Sequence, residues 1–176
     1  MARISKQTQA FIAEQIAQGY SKEQLGLGVE IVSIERVEKI IKRTPSFVDK
    51  IFSKSEKKYC NKFADPAVHY AVYLAAKGAA IKALHVSKDQ GISYSEIEVE
   101  RRDGKPVLSL KGRVGEIEKR TEVIDIPISL GHTANEATCC ALAITRSSVE
   151  SLKNKANTVD ELTKQFKETR GLLDDI

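Results

Sequence analysis

The longest apolar run in the chain predicts a buried helix between residues 70 and 84. Alanine, leucine and tyrosine dominate this run, and Lys77 and Lys82 are its charged residues. Alanine and leucine favour helix strongly, and the preceding Asp65-Pro66 supplies a capping side chain followed by proline at the first helical position. Gly78 does not fit this pattern, because glycine in a helix interior costs about 1 kcal/mol relative to alanine.

The remaining pattern of polar and apolar positions predicts short strands separated by amphipathic helices. A strand is predicted at residues 25–32, where two glycines permit another backbone or a ligand to approach closely. Asp103-Gly104 lies between two alternating segments, which predicts a hairpin over residues 92–110. Further strands are predicted at 123–129 and 137–145, and helices at 6–20, 33–43, 53–63 and 115–120. This order predicts an α+β fold, with helices covering one side of an antiparallel sheet.

Composition narrows the class of protein. A chain of 176 residues, of which 41% are hydrophobic, suits one domain with a substantial core. No run approaches the roughly 20 apolar residues of a membrane span, and the first residues do not form a secretory signal. Cys60, Cys139 and Cys140 have no metal-binding spacing and are interpreted as buried, reduced thiols of a cytoplasmic protein.

The net charge of +4 suits an anionic small molecule or an acidic partner. Aromatic residues make up 6% of the chain and do not alternate with basic ones along a strand, so nucleic-acid binding is not predicted. Arg36, Lys39 and Arg43 share one face of the predicted helix at 33–43. This face is either a solvated surface or a docking surface for an acidic helical protein.

Glu30 is the charged residue of the first predicted strand, and a carboxylate is costly to bury without a partner. One interpretation is that Glu30 reaches solvent or a lysine. The other is that it binds a metal ion. The strand by itself favours the first interpretation, because buried carboxylates are rarely unpaired.

Four motifs in order carry a family resemblance: residues 26–36, 75–83, 103–106 and 129–133. Together they resemble the holo-acyl-carrier-protein synthase type of 4′-phosphopantetheinyl transferase over residues 25–146. Residues 1–24 would then be an N-terminal helical extension, and residues 147–176 a tail that is helical or partly disordered. The resemblance implies an antiparallel sheet with a long central helix packed on it.

The resemblance also implies an activity used in fatty acid biosynthesis. Members of this family transfer phosphopantetheine from coenzyme A to a serine of an acyl carrier protein and release 3′,5′-ADP. They are usually homotrimers whose sites lie between subunits, and they act on neither nucleic acid nor membranes. By resemblance, Glu30 and Lys82 are catalytic and Arg36 docks the carrier protein. Lys39 and Arg43, on the same helix face as Arg36, are expected to dock it as well. The expected coenzyme A contacts are Lys77, Lys82, Gly104, Lys105, Pro106, His132 and Thr133.

The chain departs from the family pattern at four positions of the expected site. Glu30 replaces an Asp, Tyr73 replaces an Arg, Gly78 replaces a Glu, and Gly131 replaces the Ser before His132. The family holds Mg²⁺ between the Asp and the Glu, so Glu30 is the expected metal ligand and one ligand is missing. Two interpretations follow. Either the protein is a transferase, impaired by this loss, in which the longer Glu30 reaches the space left by Gly78, or it is a non-catalytic relative that binds coenzyme A or a carrier protein, or only assembles.

Overall fold

The computed structural model describes residues 26–87 and 90–154, together with residue 161. The helix predicted at residues 6–20 lies outside the described residues, as does most of the predicted tail, of which residues 146–154 are helical. Residues 25–144 form one compact unit, distinct from the unit that contains the chain ends. Every candidate site residue belongs to the unit of residues 25–144.

This unit begins with a strand and a group of helices. Strand β1 (Gly26–Ser33) is followed by α1 (Ile34–Arg43), α2 (Ser46–Ile51), α3 (Lys54–Cys60) and the long α4 (Pro66–Ala83). A 3-10 helix (Tyr94–Glu96) precedes the hairpin of β2 (Ile97–Arg102) and β3 (Lys105–Leu110). The chain continues through α5 (Gly112–Arg120), β4 (Val123–Asp125), β5 (Ile128–His132) and β6 (Glu136–Thr145). The predicted α+β order is confirmed.

The main sheet is centred on β6. Strand β1 pairs antiparallel with β6 on one side, and β4 and β5 pair with β6 on the other. In this register Glu30 lies opposite Cys139, and Cys139 lies opposite Leu130. The β2–β3 hairpin forms a separate two-stranded sheet. The prediction of a single strand at 123–129 is wrong in one respect. In the structure this segment forms two strands, β4 and β5, on either side of Pro127.

Helix α4 packs directly on β1, as the two glycines of that strand predict. A Cβ atom added at Gly26 would lie 1.9 Å from the carbonyl oxygen of Ala83, and one added at Gly28 would lie 2.0 Å from that of Ala79. Such distances exclude any larger side chain unless the backbone moves. The helix backbone therefore lies against the strand backbone, and the next inward residue of β1, Glu30, projects toward the middle of α4.

Local signals in the sequence set several element ends. The Asp65 carboxylate accepts a hydrogen bond from the Ala67 amide at 3.2 Å, which caps α4. The hairpin turn has positive φ at both Asp103 (51°) and Gly104 (77°), as a tight two-residue connection requires. No helix among the described residues has the length and apolar character needed to cross a bilayer.

The cysteines correct one expectation. Cys60 and Cys139 are buried as predicted, but Cys140 is exposed. Successive residues of a strand point to opposite faces of the sheet, so adjacent cysteines on β6 cannot both enter the core.

Candidate active site

Glu30 and Lys82 form an ion pair between the first strand and the long helix. The distance from the Glu30 Oε2 atom to the Lys82 Nζ atom is 3.0 Å, and the ammonium also donates to the Val29 carbonyl oxygen at 2.7 Å. The Lys82 side chain remains 54% exposed and the Glu30 side chain 28% exposed. A carboxylate and an accessible ammonium are therefore held together at the surface.

Gly78 lies directly beside the Glu30 carboxyl group. A Cβ atom at position 78 would lie 2.8 Å from Glu30 Oε2 and 2.9 Å from Glu30 Cγ. All three of the nearest atoms belong to Glu30. The longer acidic side chain of β1 therefore occupies the space that the absence of a side chain on α4 provides, as the sequence had suggested.

The charges of both Glu30 and Lys82 influence Tyr94, which no pattern in the sequence indicates. Burial raises the pKa of its phenol, the Glu30 carboxylate raises it further, and Lys82 acts in the opposite direction. The phenol is therefore protonated at neutral pH.

Lys77, unlike Lys82, is buried in the interior of the protein. Its side chain is 0% exposed, and its ammonium lies 2.9 Å from the Glu56 carboxylate, whose side chain is also 0% exposed. The ammonium also donates to the carbonyl oxygens of Tyr94 and Ile97. Burial lowers the pKa of Lys77 and Glu56 opposes this effect. Since these three acceptors match the three donors of an ammonium, the predicted contact of Lys77 with coenzyme A does not fit this geometry.

Glu56 caps the first turn of α3 in a capping box with Ser53. The Ser53 amide donates to Glu56 Oε2 at 2.8 Å, and the Ser53 hydroxyl accepts from the Glu56 amide at 3.2 Å. Its second role is to accept from the buried Lys77 and, through Oε1, from the Val99 amide at 2.9 Å. One carboxylate thus joins α3, α4 and β2, which positions the hairpin against the long helix.

The other predicted coenzyme A residues lie on two turns. Gly104 and Lys105 are exposed at the end of the β2–β3 hairpin, and Pro106 is half-buried at the start of β3. His132 is exposed at the end of β5, with Nδ1 3.2 Å from the Thr133 carbonyl oxygen. The Thr133 hydroxyl accepts from the amides of the residues that open β6, so it holds this turn.

A guanidinium that sequence reasoning missed lies beside the hairpin turn. Arg101 on β2 donates to the Gly104 carbonyl oxygen at 2.8 Å, and its Cζ atom lies 4.8 Å from the centroid of the Tyr59 ring. Burial raises the pKa of Tyr73 to about 12, and Arg101 acts in the opposite direction. Tyr73 and Tyr59 are stacked, with ring centroids 5.4 Å apart. Nothing in the spacing of Arg101 distinguishes it from its neighbour Arg102.

The basic face of α1 is present as predicted. Arg36, Lys39 and Arg43 are exposed on this helix. Lys39 forms an ion pair with Glu35, one turn earlier, so part of its charge is already balanced. Arg36 and Arg43 have no carboxylate partner among the described residues.

The described residues do not fit a magnesium site built from two carboxylates. No three histidine, cysteine, aspartate or glutamate side chains within residues 26–87 and 90–154 come close enough together to hold a metal ion. The carboxylate at hand is that of Glu30, and Lys82 neutralises it. At the position where the family resemblance places a second carboxylate, Gly78 offers none.

The segment that carries these residues matches a known protein family. Residues 26–143 match the model of the 4′-phosphopantetheinyl transferase superfamily. The matched segment contains β1, α4, the hairpin turn and His132, and the chain belongs to this superfamily.

Within the superfamily, the similar proteins are holo-[acyl-carrier-protein] synthases. The chain is 42% identical to that of Syntrophus aciditrophicus (strain SB) over 115 residues, which are 64% of this chain and 89% of the relative. It is 34% identical to that of Anaeromyxobacter sp. (strain K), covering 67% of this chain and 94% of the relative. The crystal structure of the Helicobacter pylori enzyme in complex with coenzyme A matches with a TM-score of 0.59 and 28% identity, covering 67% of this chain and 99% of that one.

Proposed function

We propose that this protein transfers 4′-phosphopantetheine from coenzyme A to a serine of an acyl carrier protein. The observation that carries the proposal is the ion pair of Glu30 and Lys82, 3.0 Å apart and accessible, within the segment that matches the family. The similarity to holo-[acyl-carrier-protein] synthases supports the same activity. The Helicobacter pylori relative was crystallised with coenzyme A, which supports coenzyme A as the donor here.

In this mechanism Lys82 contacts the pyrophosphate of coenzyme A. Its ammonium offsets the negative charge that grows on the bridging oxygen as the phosphorus–oxygen bond breaks. The serine hydroxyl of the carrier protein attacks the phosphorus that bears the pantetheine arm, and 3′,5′-ADP leaves. The serine proton passes to the Glu30 carboxylate or to a bound water.

We propose that the metal site of the family is degenerate in this protein and that its activity is reduced. Glu30 fills the space above Gly78, so one carboxylate replaces a pair. Mg²⁺ usually binds proteins through one or two carboxylates together with substrate phosphates, and a bound ion would add positive charge at the pyrophosphate. Because Lys82 already balances Glu30, we expect a weaker dependence on Mg²⁺ than in a site with two free carboxylates.

Coenzyme A would also contact the two turns described above. Gly104, Lys105, Pro106, His132 and Thr133 are the proposed contacts, with Lys82 at the pyrophosphate. Arg36, Lys39 and Arg43 on α1 are proposed to dock the carrier protein, whose surface must then be acidic. Arg36 and Arg43 should contribute more than Lys39, because Lys39 is already paired with Glu35.

We propose that the protein assembles as a homotrimer through the outer face of its main sheet. Along β1, Leu27, Val29 and Ile31 are 60%, 46% and 61% exposed. They lie beside Leu142, Cys140 and Thr138 of β6 in the strand register. A contiguous apolar sheet face of this kind usually marks an association surface. Light scattering should give three times the monomer mass for the wild type and a smaller mass for Ile31→Asp.

The decisive experiment measures the mass of a purified apo carrier protein after incubation with coenzyme A and this protein. We expect the mass to rise by one phosphopantetheine group, and the rise to be slower in Lys82→Ala. Lys105→Ala, at the hairpin turn, should affect coenzyme A binding without abolishing transfer. A mass that stays unchanged with the wild type, with and without Mg²⁺, would refute the proposal.

The second candidate function is that of a non-catalytic relative, and Gly78 is the observation that favours it. The paired substitution Glu30→Asp with Gly78→Glu separates the two possibilities. It restores two carboxylates without the clash that Gly78→Glu alone would create with Glu30. If the paired variant gains Mg²⁺-dependent transfer while the wild type binds coenzyme A and transfers nothing, the wild type is a binding protein.

A further inference from the structure

Arg101 presents a rigidly held guanidinium at the edge of the hairpin. The Gly104 carbonyl oxygen accepts one hydrogen bond from it, and the Tyr59 ring supports its flat face. Tyr59 is itself stacked on the buried Tyr73. An arginine fixed in this way loses little side-chain freedom when it binds a ligand, because its planar fork is already oriented.

The charge of Arg101 is not balanced by a carboxylate among residues 26–87 and 90–154. The neighbouring Arg102 is different, since its guanidinium pairs with Glu100 at 3.0 Å. The partners of Arg101 are the Gly104 carbonyl oxygen and the face of the Tyr59 ring. Of these two adjacent arginines, Arg102 is paired with a carboxylate within the chain, whereas the charge of Arg101 remains available to an external anion.

Other basic groups lie near Arg101. The pKa of His69 is lowered first by burial and then by His132 and Arg101, while Asp65 acts in the opposite direction. His69 and Arg101 both lie against the Tyr59 ring, at 6.0 Å between the His69 and Tyr59 ring centroids and 4.8 Å from Arg101 Cζ to the Tyr59 centroid. His132 and the Gly104 turn are the residues for which coenzyme A contact is already proposed. The Arg101 guanidinium therefore lies at the hairpin turn that is proposed to contact coenzyme A.

We propose that Arg101 binds a phosphate group of coenzyme A, and that Tyr73 and Tyr59 hold it in place. This proposal rests on the proposed function. Helix α4 carries Tyr73 where the family resemblance places an arginine, and the guanidinium of Arg101 lies over the Tyr59 ring, which is stacked on Tyr73. Strand β2 thus supplies the group that α4 lacks. Arginine recognises phosphate with parallel hydrogen bonds. The Gly104 carbonyl oxygen accepts from one N–H group of Arg101, and the remaining N–H groups are free to donate to a phosphate.

Calorimetric titration with coenzyme A and with dephospho-coenzyme A tests the proposal. We expect Arg101→Gln to weaken coenzyme A binding by about 10- to 100-fold, as the loss of a hydrogen bond to a charged group predicts. Arg101→Lys should fall between this variant and the wild type, because lysine keeps the charge but not the planar fork. Arg102→Gln is the matched control, one residue away on the same strand, and should bind as the wild type does.

The two titrants identify the phosphate. A loss confined to coenzyme A assigns Arg101 to the 3′-phosphate, which dephospho-coenzyme A lacks, and an equal loss with both assigns it to the pyrophosphate. Thermal melting of each variant checks that the hairpin is intact. Wild-type affinity in Arg101→Gln, or an equal loss in Arg102→Gln, would overturn the proposal and leave the proposed function standing. Failure of the wild type itself to bind coenzyme A would overturn both.

Discussion

The contact between Glu30 and position 78 predicts that these two residues are energetically coupled. Gly78→Ala should gain about 1 kcal/mol from helix propensity alone. The added Cβ, however, would lie 2.8 Å from Glu30 Oε2 and 2.9 Å from its Cγ, so Glu30 must move away. That movement breaks the 3.0 Å contact between Glu30 and Lys82. Because the Lys82 side chain is half-exposed, this ion pair contributes about 0.2–1 kcal/mol to the free energy of unfolding.

The expected result is a difference between backgrounds. In the wild type, Gly78→Ala should change the free energy of unfolding by little, because the propensity gain and the loss of the ion pair offset each other. In Glu30→Ala, the same substitution should stabilise by nearly the full amount of about 1 kcal/mol. Urea denaturation of the four proteins in this double-mutant cycle gives the coupling energy directly.

A matched cycle provides the control. Glu116 is exposed on α5, so Glu116→Ala and Gly78→Ala should be additive. If Gly78→Ala has the same effect in the Glu30→Ala background as in the wild type, within about 0.3 kcal/mol, the two side-chain positions do not share space and the reasoning from this contact fails.

Three further predictions concern stability. Lys77→Met should destabilise the protein by about 3–5 kcal/mol in urea denaturation, because it leaves a buried carboxylate unpaired; a loss below about 1 kcal/mol would contradict this. Lys111 and two serine hydroxyls lower the pKa of Glu98 from 4.5 to about 2. Glu98 therefore stabilises the fold above pH 4.5 and this contribution, about 1–2 kcal/mol after screening at the exposed Lys111, is lost as the pH falls toward 2. Acid titrations of stability should show this step in the wild type and not in Glu98→Gln. Gly28→Ala should lower the melting temperature strongly, since its Cβ would lie 2.0 Å from a helix carbonyl oxygen, whereas Gly131→Ala, with its nearest contact at 3.6 Å, should change it little.

Signals that act over short distances in sequence predicted most of the fold. The Asp65-Pro66 start of α4, the capping box at Ser53 and the Asp103-Gly104 turn each depend on neighbouring residues. The close approach of α4 to β1 was also foreseeable, since glycines on one strand face have few other uses. The division of the strand predicted at 123–129 was missed, although Pro127 lacks the amide that a continuous strand requires.

Partners that are distant in sequence were harder to predict. Glu56 lies 21 positions before Lys77, and its role in the capping box gave no reason to seek a second one. A lysine in an alanine-rich helix does imply a buried acceptor, but several acidic residues qualify. Arg101 was missed for a related reason: the pattern of β2 does not reveal that Arg102 is paired and Arg101 is not.

The close packing of β1 on α4 has a consequence for sequence change in the core. Gly26 and Gly28 set the separation of strand and helix through backbone atoms, so the spacing between the Glu30 carboxylate and the Lys82 ammonium does not depend on which apolar side chains surround them. Relatives that keep both glycines should preserve the distance between this carboxylate and this ammonium group, even where the other core residues are substituted.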